Sequence, residues 1–178
     1  MKNTKKLLMV ALSLLIVSGM AACGSKPAEP IPTHEPMGQS ESQAQIPSPL
    51  VTYKTAEELE AAVGFSINAP TYLPEGYTAN SFTAIGSKLA EIRYQNGEKS
   101  ITFRMAEGDE DVSGDYNQYS STESADVAGT SVALKGDGET VALATFARDG
   151  FSYSLSFESG VQQAEAVKII ESIYGAAK

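Results

Sequence analysis

Apolar residues recur along this chain with two periods, one helical and one strand-like, and the switches between them outline a domain. Leu59, Ala62 and Val63 share one helical face behind Thr55-Ala56-Glu57-Glu58, a capping box in which the Thr55 side chain accepts from the Glu58 amide. Gly64 ends that short helix. Ala69-Pro70 and Leu73-Pro74-Glu75-Gly76 punctuate an extended passage, and Pro74 presets a turn that launches a strand from Tyr77. Near the other end, Ser159-Gly160-Val161-Gln162 offers a second capping box. It precedes a helix with Ala166, Val167, Ile170, Ile173 and Tyr174 on one face and Glu165, Lys168, Glu171 and Ser172 opposite.

Between the helices the period is two. A hairpin turn at Asn96-Gly97 sets Tyr94 opposite Lys99, Ile92 opposite Ile101 and Ala90 opposite Phe103, with Glu91, Arg93, Ser100 and Thr102 on the other face. Residues 130–157 read as three more strands, and a turn at Asp149-Gly150 pairs Phe146 with Tyr153 and Ala144 with Leu155. A two-residue turn at Asp137-Gly138 would put Val132 and Leu134 on the wrong side. A three-residue Gly136-Asp137-Gly138 loop with Gly138 left-handed aligns Val132 with Ala142 and gives one apolar face. The expected fold is therefore α+β: an antiparallel sheet of about five or six strands with a short N-terminal helix and a C-terminal helix packed on it.

The first fifty residues follow a different pattern. Lys2, Lys5 and Lys6 precede an apolar run over residues 7–17, too short to span a bilayer, so residues 1–22 read as a signal peptide. Met20-Ala21-Ala22-Cys23 resembles the bacterial lipobox, which implies cleavage before Cys23, a diacylglycerol thioether on its sulfur and acylation of the new amino group. Several acyl chains anchor stably where one would not. Residues 23–50 carry Pro27, Pro30, Pro32, Pro36, Pro47 and Pro49 among polar residues and read as a disordered tether, leaving 51–178 as a single domain. His34 lies in that tether with no second ligand beside it.

Charge and residue inventory narrow the chemistry. The net charge is -9, with 22 Asp+Glu against 13 Lys+Arg, so nucleic acid is excluded as a partner. With the one Cys read as the lipidated residue and the one His in the tether, neither remains for a catalytic triad, a Cys-His pair or a multi-cysteine zinc site, and no Gly-rich loop opens a helix to hold phosphate. No enzyme and no cofactor is expected. The most distinctive polar feature is the acidic stretch over residues 107–119. Asp109, Asp111, Ser113, Gly114, Asp115 and Asn117 have the spacing of the first positions of a calcium loop, whereas the twelfth position is Ser120 and strands flank the segment. The stretch is read first as a solvated loop whose like charges keep it mobile, meeting a basic partner or, second, calcium. Tyr72, Tyr77, Tyr116 and Tyr119 form a possible recognition patch beside it, with Tyr72 and Tyr77 assigned to the core.

Pro70-Thr71-Tyr72-Leu73-Pro74-Glu75-Gly76-Tyr77, the hairpin at 94–101 and the segment from Gly108 to Tyr119 together resemble domain of unknown function 4367, found in Gram-positive lipoproteins and at the outer ends of anti-sigma-factor-like proteins. The resemblance spans most of residues 51–174. It implies an extracytoplasmic sensing or binding module and supplies no functional residues. The expected protein is thus a lipoprotein anchored through Cys23 at the extracytoplasmic face of the cell membrane, binding an unidentified envelope protein or ligand. The alternative is a carrier or chaperone for a lipid or other apolar molecule held between sheet and helix.

Overall fold

The computed structural model describes residues 48–175. The expected signal peptide, Cys23, His34 and all but the last residues of the expected tether lie outside the described residues. Eight strands and two helices follow in the order β1 (Leu50–Tyr53), α1 (Ala56–Val63), β2 (Thr78–Ile85), β3 (Leu89–Asn96), β4 (Lys99–Glu107), β5 (Ser121–Val127), β6 (Thr130–Gly136), β7 (Val141–Arg148), β8 (Phe151–Val161) and α2 (Gln163–Gly175). All pairings are antiparallel, in one sheet of order β1-β2-β3-β4-β8-β7-β6-β5. The fold class is as expected, but the sheet has eight strands and not five or six. The two extra ones are edges: β1 has four residues and β5 exposes most of its length, so neither carries a clear apolar alternation.

One face of the sheet and both helices enclose the core. Ile92, Ile101, Phe103, Met105, Leu155 and Val132 are buried from the strands, and Leu59 from α1 and Ala166, Ile169, Ile170 and Ile173 from α2 close over them. Helix α1 packs on β1–β3, and α2 reaches β5 and β7. The segment 64–77 fills the space between: the Phe65 ring lies 5.3 Å from Phe151, Thr71 donates to the Ser172 carbonyl at 3.1 Å, and the Tyr72 hydroxyl donates to Glu165 at 2.7 Å. Tyr77 packs on the core as expected, while Tyr72 is 41% exposed and its role is this bond to α2.

Local chemistry explains where the register departs from expectation. Thr55 caps α1 as anticipated, its side chain accepting from Glu58 N at 3.2 Å. The β3–β4 pairs are Tyr94 with Ile101, Ile92 with Phe103 and Ala90 with Met105, so the turn is Gly97-Glu98. Gly97 has φ 59 and Glu98 is not left-handed, the pattern of a turn that needs glycine at its first central position. The slip of two residues keeps every face and removes Lys99 from the row opposite Tyr94. Between β6 and β7 the three-residue loop is replaced by a longer one: Lys135 faces Leu143, Gly136 faces Val141, and Ala142 is bulged. The Asp137 carboxylate organises it, accepting from the amides of Glu139 at 2.9 Å and Thr140 at 2.6 Å. The bulge brings Val141 onto the core face with Leu134 and Ala144 and leaves Leu143 on the other side. The second capping box does not form, because β8 continues through Ser159 and Gly160 to pair Val161 with Val141.

The Asp149-Gly150 turn pairs Phe146 with Tyr153 and Ala144 with Leu155 as expected, with both turn residues at positive φ (52° and 82°). The β5–β6 turn has the same geometry at Ala128 and Gly129, with φ 50° and 79°. A left-handed alanine is strained by about 1 kcal/mol, whereas asparagine tolerates this conformation. Ala128→Asn is expected to raise stability by about 0.5–1 kcal/mol, seen as a higher denaturant midpoint with an unchanged slope. An unchanged or lower midpoint would show that Ala128 carries no strain.

Candidate functional site

Because β4 lies between β3 and β8 while β5 is the far edge, the connection over residues 108–120 must pass β8, β7 and β6. It does so over the face opposite the helices. The crossing spans about four inter-strand spacings, roughly 19 Å, whereas this much chain reaches roughly 43 Å when extended. The surplus is taken up in turns that use the segment's own polar side chains. Asp111 Oδ1 accepts from Ser113 N at 2.8 Å, Ser113 Oγ from Asp115 N at 3.2 Å, and Asp115 Oδ1 from Asn117 N at 2.7 Å. The second Asp115 oxygen accepts from the Tyr119 hydroxyl.

Cations on the sheet hold this strap down. Arg104 on β4 donates Nε to Glu91 Oε2 at 2.8 Å, and its Nη1 donates to the carbonyls of Ser113 and Val112. Lys135 on β6 approaches Asp111 at 3.8 Å. At the entrance, Gly108 N donates to the Gly150 carbonyl at 2.8 Å, and Ser152 Oγ donates to the Gly108 carbonyl at 3.0 Å. Gly114 takes φ +60, and a Cβ there would stand 2.6 Å from Arg104 Nη1, so the clamp needs both the turn and the missing side chain. The strap buries Leu143 (1% exposed) and Ser154 (0%) on what would otherwise be a solvated face.

This arrangement sets Lys135 beside Asp111 and Arg104 against the strap's carbonyls, contacts that the expectation of a mobile loop did not include. It also divides the five residues singled out from sequence. Asp111, Ser113 and Asp115 shape the strap itself, Ser113 being buried, while Asp109 and Asn117 are exposed on either side of it. Among the described residues no three His, Cys, Asp or Glu side chains gather as a metal site. Tyr116 is 94% exposed at the crest.

Two open grooves flank the strap. One, of about 660 Å³, has Ile85, Leu89, Ala106 and Val112 in its floor and Glu107, Asp109, Glu110 and Asp111 around its rim. The other, of about 480 Å³, is floored by Ser100, Thr102 and Ser156 and walled by Asp115, Asn117 and Tyr119. On the helix side of the sheet the core is filled, and the cleft by Asn68, Tyr153, Ile173 and Tyr174 measures about 40 Å³, room for a water molecule. Sequence reasoning missed the floor residues and the Arg104 clamp. Their signal is the row of alternating residues Thr102, Arg104 and Ala106, matched on β8 by Ser152, Ser154 and Ser156, which are small and polar where a merely solvated face would carry long charged chains.

The clamp and the strap carboxylates each give an expected outcome. Arg104→Met should lower stability by about 1–3 kcal/mol, because Glu91 and two carbonyls lose a charged donor. It should also strip hydrogen-exchange protection from the Ser113 and Asp115 amides while Phe103 stays protected; equal protection throughout would show that Arg104 does not hold the strap. The Tyr119 hydroxyl and the Asn117 amide hold the Asp115 carboxyl below its ordinary range. For Asp111, burial pushes upward but is outweighed by the hydrogen bonds from Ser113 and by the charge of Lys135, so it too is lowered. Folded-state values below the unfolded ones mean that this stabilisation is complete above the ordinary carboxylate range, about pH 4, and is lost as pH falls through the lowered values. Amide protection at Ser113 and Asn117 should therefore persist through pH 4 and disappear below it; loss beginning above that range would contradict the assignment.

Comparison with known proteins adds the family. No curated protein and no solved structure matches the chain. The family model described as Domain of unknown function (DUF4367) matches residues 68–173, a span running from the segment between α1 and β2, through the strap and both of its grooves, to the last turn of α2. With more than half of its length covered, the chain belongs to the DUF4367 family.

Proposed function

We propose that the protein is an extracytoplasmic lipoprotein, held to the cell membrane by acyl groups on Cys23, whose domain is a non-catalytic binding or sensor module for another envelope protein. The observation that supports this reading is the groove of about 660 Å³ beside the strap, with an apolar floor of Ile85, Leu89 and Ala106 and a carboxylate rim. Its volume lies in the range of binding pockets, and its polarity suits a protein surface that presents apolar residues among lysines and arginines. Asp109 and Glu110 form no hydrogen bond or ion pair among the described residues, so their charge is available to a partner. No helix of the described residues is long and apolar enough to cross a membrane. The carrier alternative lacks support, because it needs room between sheet and helices where the cleft is about 40 Å³.

Anchoring is tested with Cys23→Ala, which should stop fatty-acid labelling and release the chain from sedimenting membranes; undiminished labelling would end the lipoprotein reading. Recognition is tested by crosslinking in intact cells. Asp109→Asn with Glu110→Gln should reduce capture of the partner without lowering the melting temperature. Added salt should weaken the wild-type complex, since exposed charge pairs are screened over about 8 Å at physiological ionic strength. Capture indifferent to both changes would remove the rim from the binding surface.

A further inference from the structure

We propose that the second groove, on the other side of the strap, is a binding site for a neutral oligosaccharide. Its floor is a row of side chains set by strand register: Arg93 on β3 faces Thr102 on β4, which faces Ser156 on β8. Beside that row Ser100 donates to Glu158 Oε2 at 2.6 Å, fixing the carboxylate at the groove edge. The wall is the second half of the strap, where the bond from the Tyr119 hydroxyl to Asp115 holds the tyrosine in place and Asn117 is exposed. The Arg93 guanidinium is exposed and forms no hydrogen bond or ion pair among the described residues.

Three features of this groove select the ligand. First, Arg93, Thr102 and Ser156 are each paired on both sides, so the backbone groups of the floor row are already used. That row therefore offers side chains alone, which disfavours an extended peptide, whose recognition relies on main-chain pairing at a free edge. Second, Asp115 and Glu158 outnumber the single cation Arg93, which disfavours polyanions. Third, the open groups are hydroxyls, a carboxamide, carboxylates with spare lone pairs and a guanidinium, a mixed set of donors and acceptors. A sugar ring presents the matching set, hydroxyls that both donate and accept, and its C–H faces can lie against an aromatic wall such as Tyr119. The volume, about 480 Å³, exceeds what one ring needs and falls within the usual range of ligand sites. This site is independent of the carboxylate-rimmed groove and stands or falls without the protein-partner reading.

The test is an amide chemical-shift titration of the full-length protein in a sugar-free detergent. The probes are a β-1,4-linked N-acetylglucosamine tetramer, maltotetraose and, for comparison, tetra-alanine. At least one of the two saccharides is expected to bind saturably and shift Thr102, Ser156, Asn117 and Tyr119. Arg93→Gln and Thr102→Val should each weaken that binding by about tenfold or more with the melting temperature unchanged. Arg93→Gln alters an exposed, unpaired side chain, so loss of binding in that variant is not loss of fold. The proposal is overturned if neither saccharide shifts any resonance at millimolar concentration, if the shifts fall outside the groove, if both variants bind as tightly as wild type, or if only tetra-alanine binds.

Discussion

A sheet that inserts its last strand between β4 and β7 must send the chain after β4 across the others to start again at the far edge. That constraint governs both faces. Helices α1 and α2 occupy one of them, so the crossing is confined to the other, and the strands beneath it must leave room. Small side chains there meet the requirement: Ser152 and Ser154 are buried under the strap, and Ala106, 8% exposed, lies at its side. Long side chains at these positions would lift the segment and break the bonds that Arg104 makes to its carbonyls.

Closing a sheet face with irregular chain carries a cost that a helix would avoid, because a loop's backbone groups have no repeating internal partners. This strap meets it residue by residue, each short polar side chain accepting from an amide two positions on. Such side chains give the segment its acidic character, so the carboxylates at Asp111 and Asp115 exist first as backbone partners. Those at Asp109 and Glu110 are free of this duty. A narrow strap of this kind also covers less width than a helix would, and the uncovered strips on either side are the two grooves. The binding surface is in this sense a by-product of the strand order.

Much of the helix face was legible in the sequence, since apolar alternation, the Thr55 cap and the Asp149-Gly150 turn are local signals that agree with one another. Turn chemistry was read less well where two turns compete. Asn96-Gly97 is the usual pair for a turn with both residues left-handed, but Gly97 takes the first central position and Glu98 the second. The faces survived that error because a two-residue slip preserves alternation. The bulge at Ala142 was harder, because regular alternation keeps Val141 with Leu143 off the core face, whereas the extra residue returns Val141 to the core. The candidate site was visible only as composition. Nothing local indicates that 108–120 crosses the sheet, because that follows from where β8 inserts, a pairing between Phe103 and Leu155 far apart in sequence.

The Arg104–Glu91 pair links these levels. Both side chains stand on the strap face, directly opposite in the β3–β4 register, with side-chain exposures of 23% and 15%. A half-buried ion pair on its own adds little to stability, since desolvation offsets the attraction. Its effect here is orientation: with Nε engaged by Glu91, the guanidinium edge is directed at the carbonyls of Val112 and Ser113, and the strap is held where Gly114 permits close approach. The same register that pairs Arg104 with Glu91 sets Arg93 opposite Thr102 two residues along. One arginine of the face is thereby committed to the strap while the other remains open beside it, and that difference separates the part of this surface that builds the fold from the part available for binding.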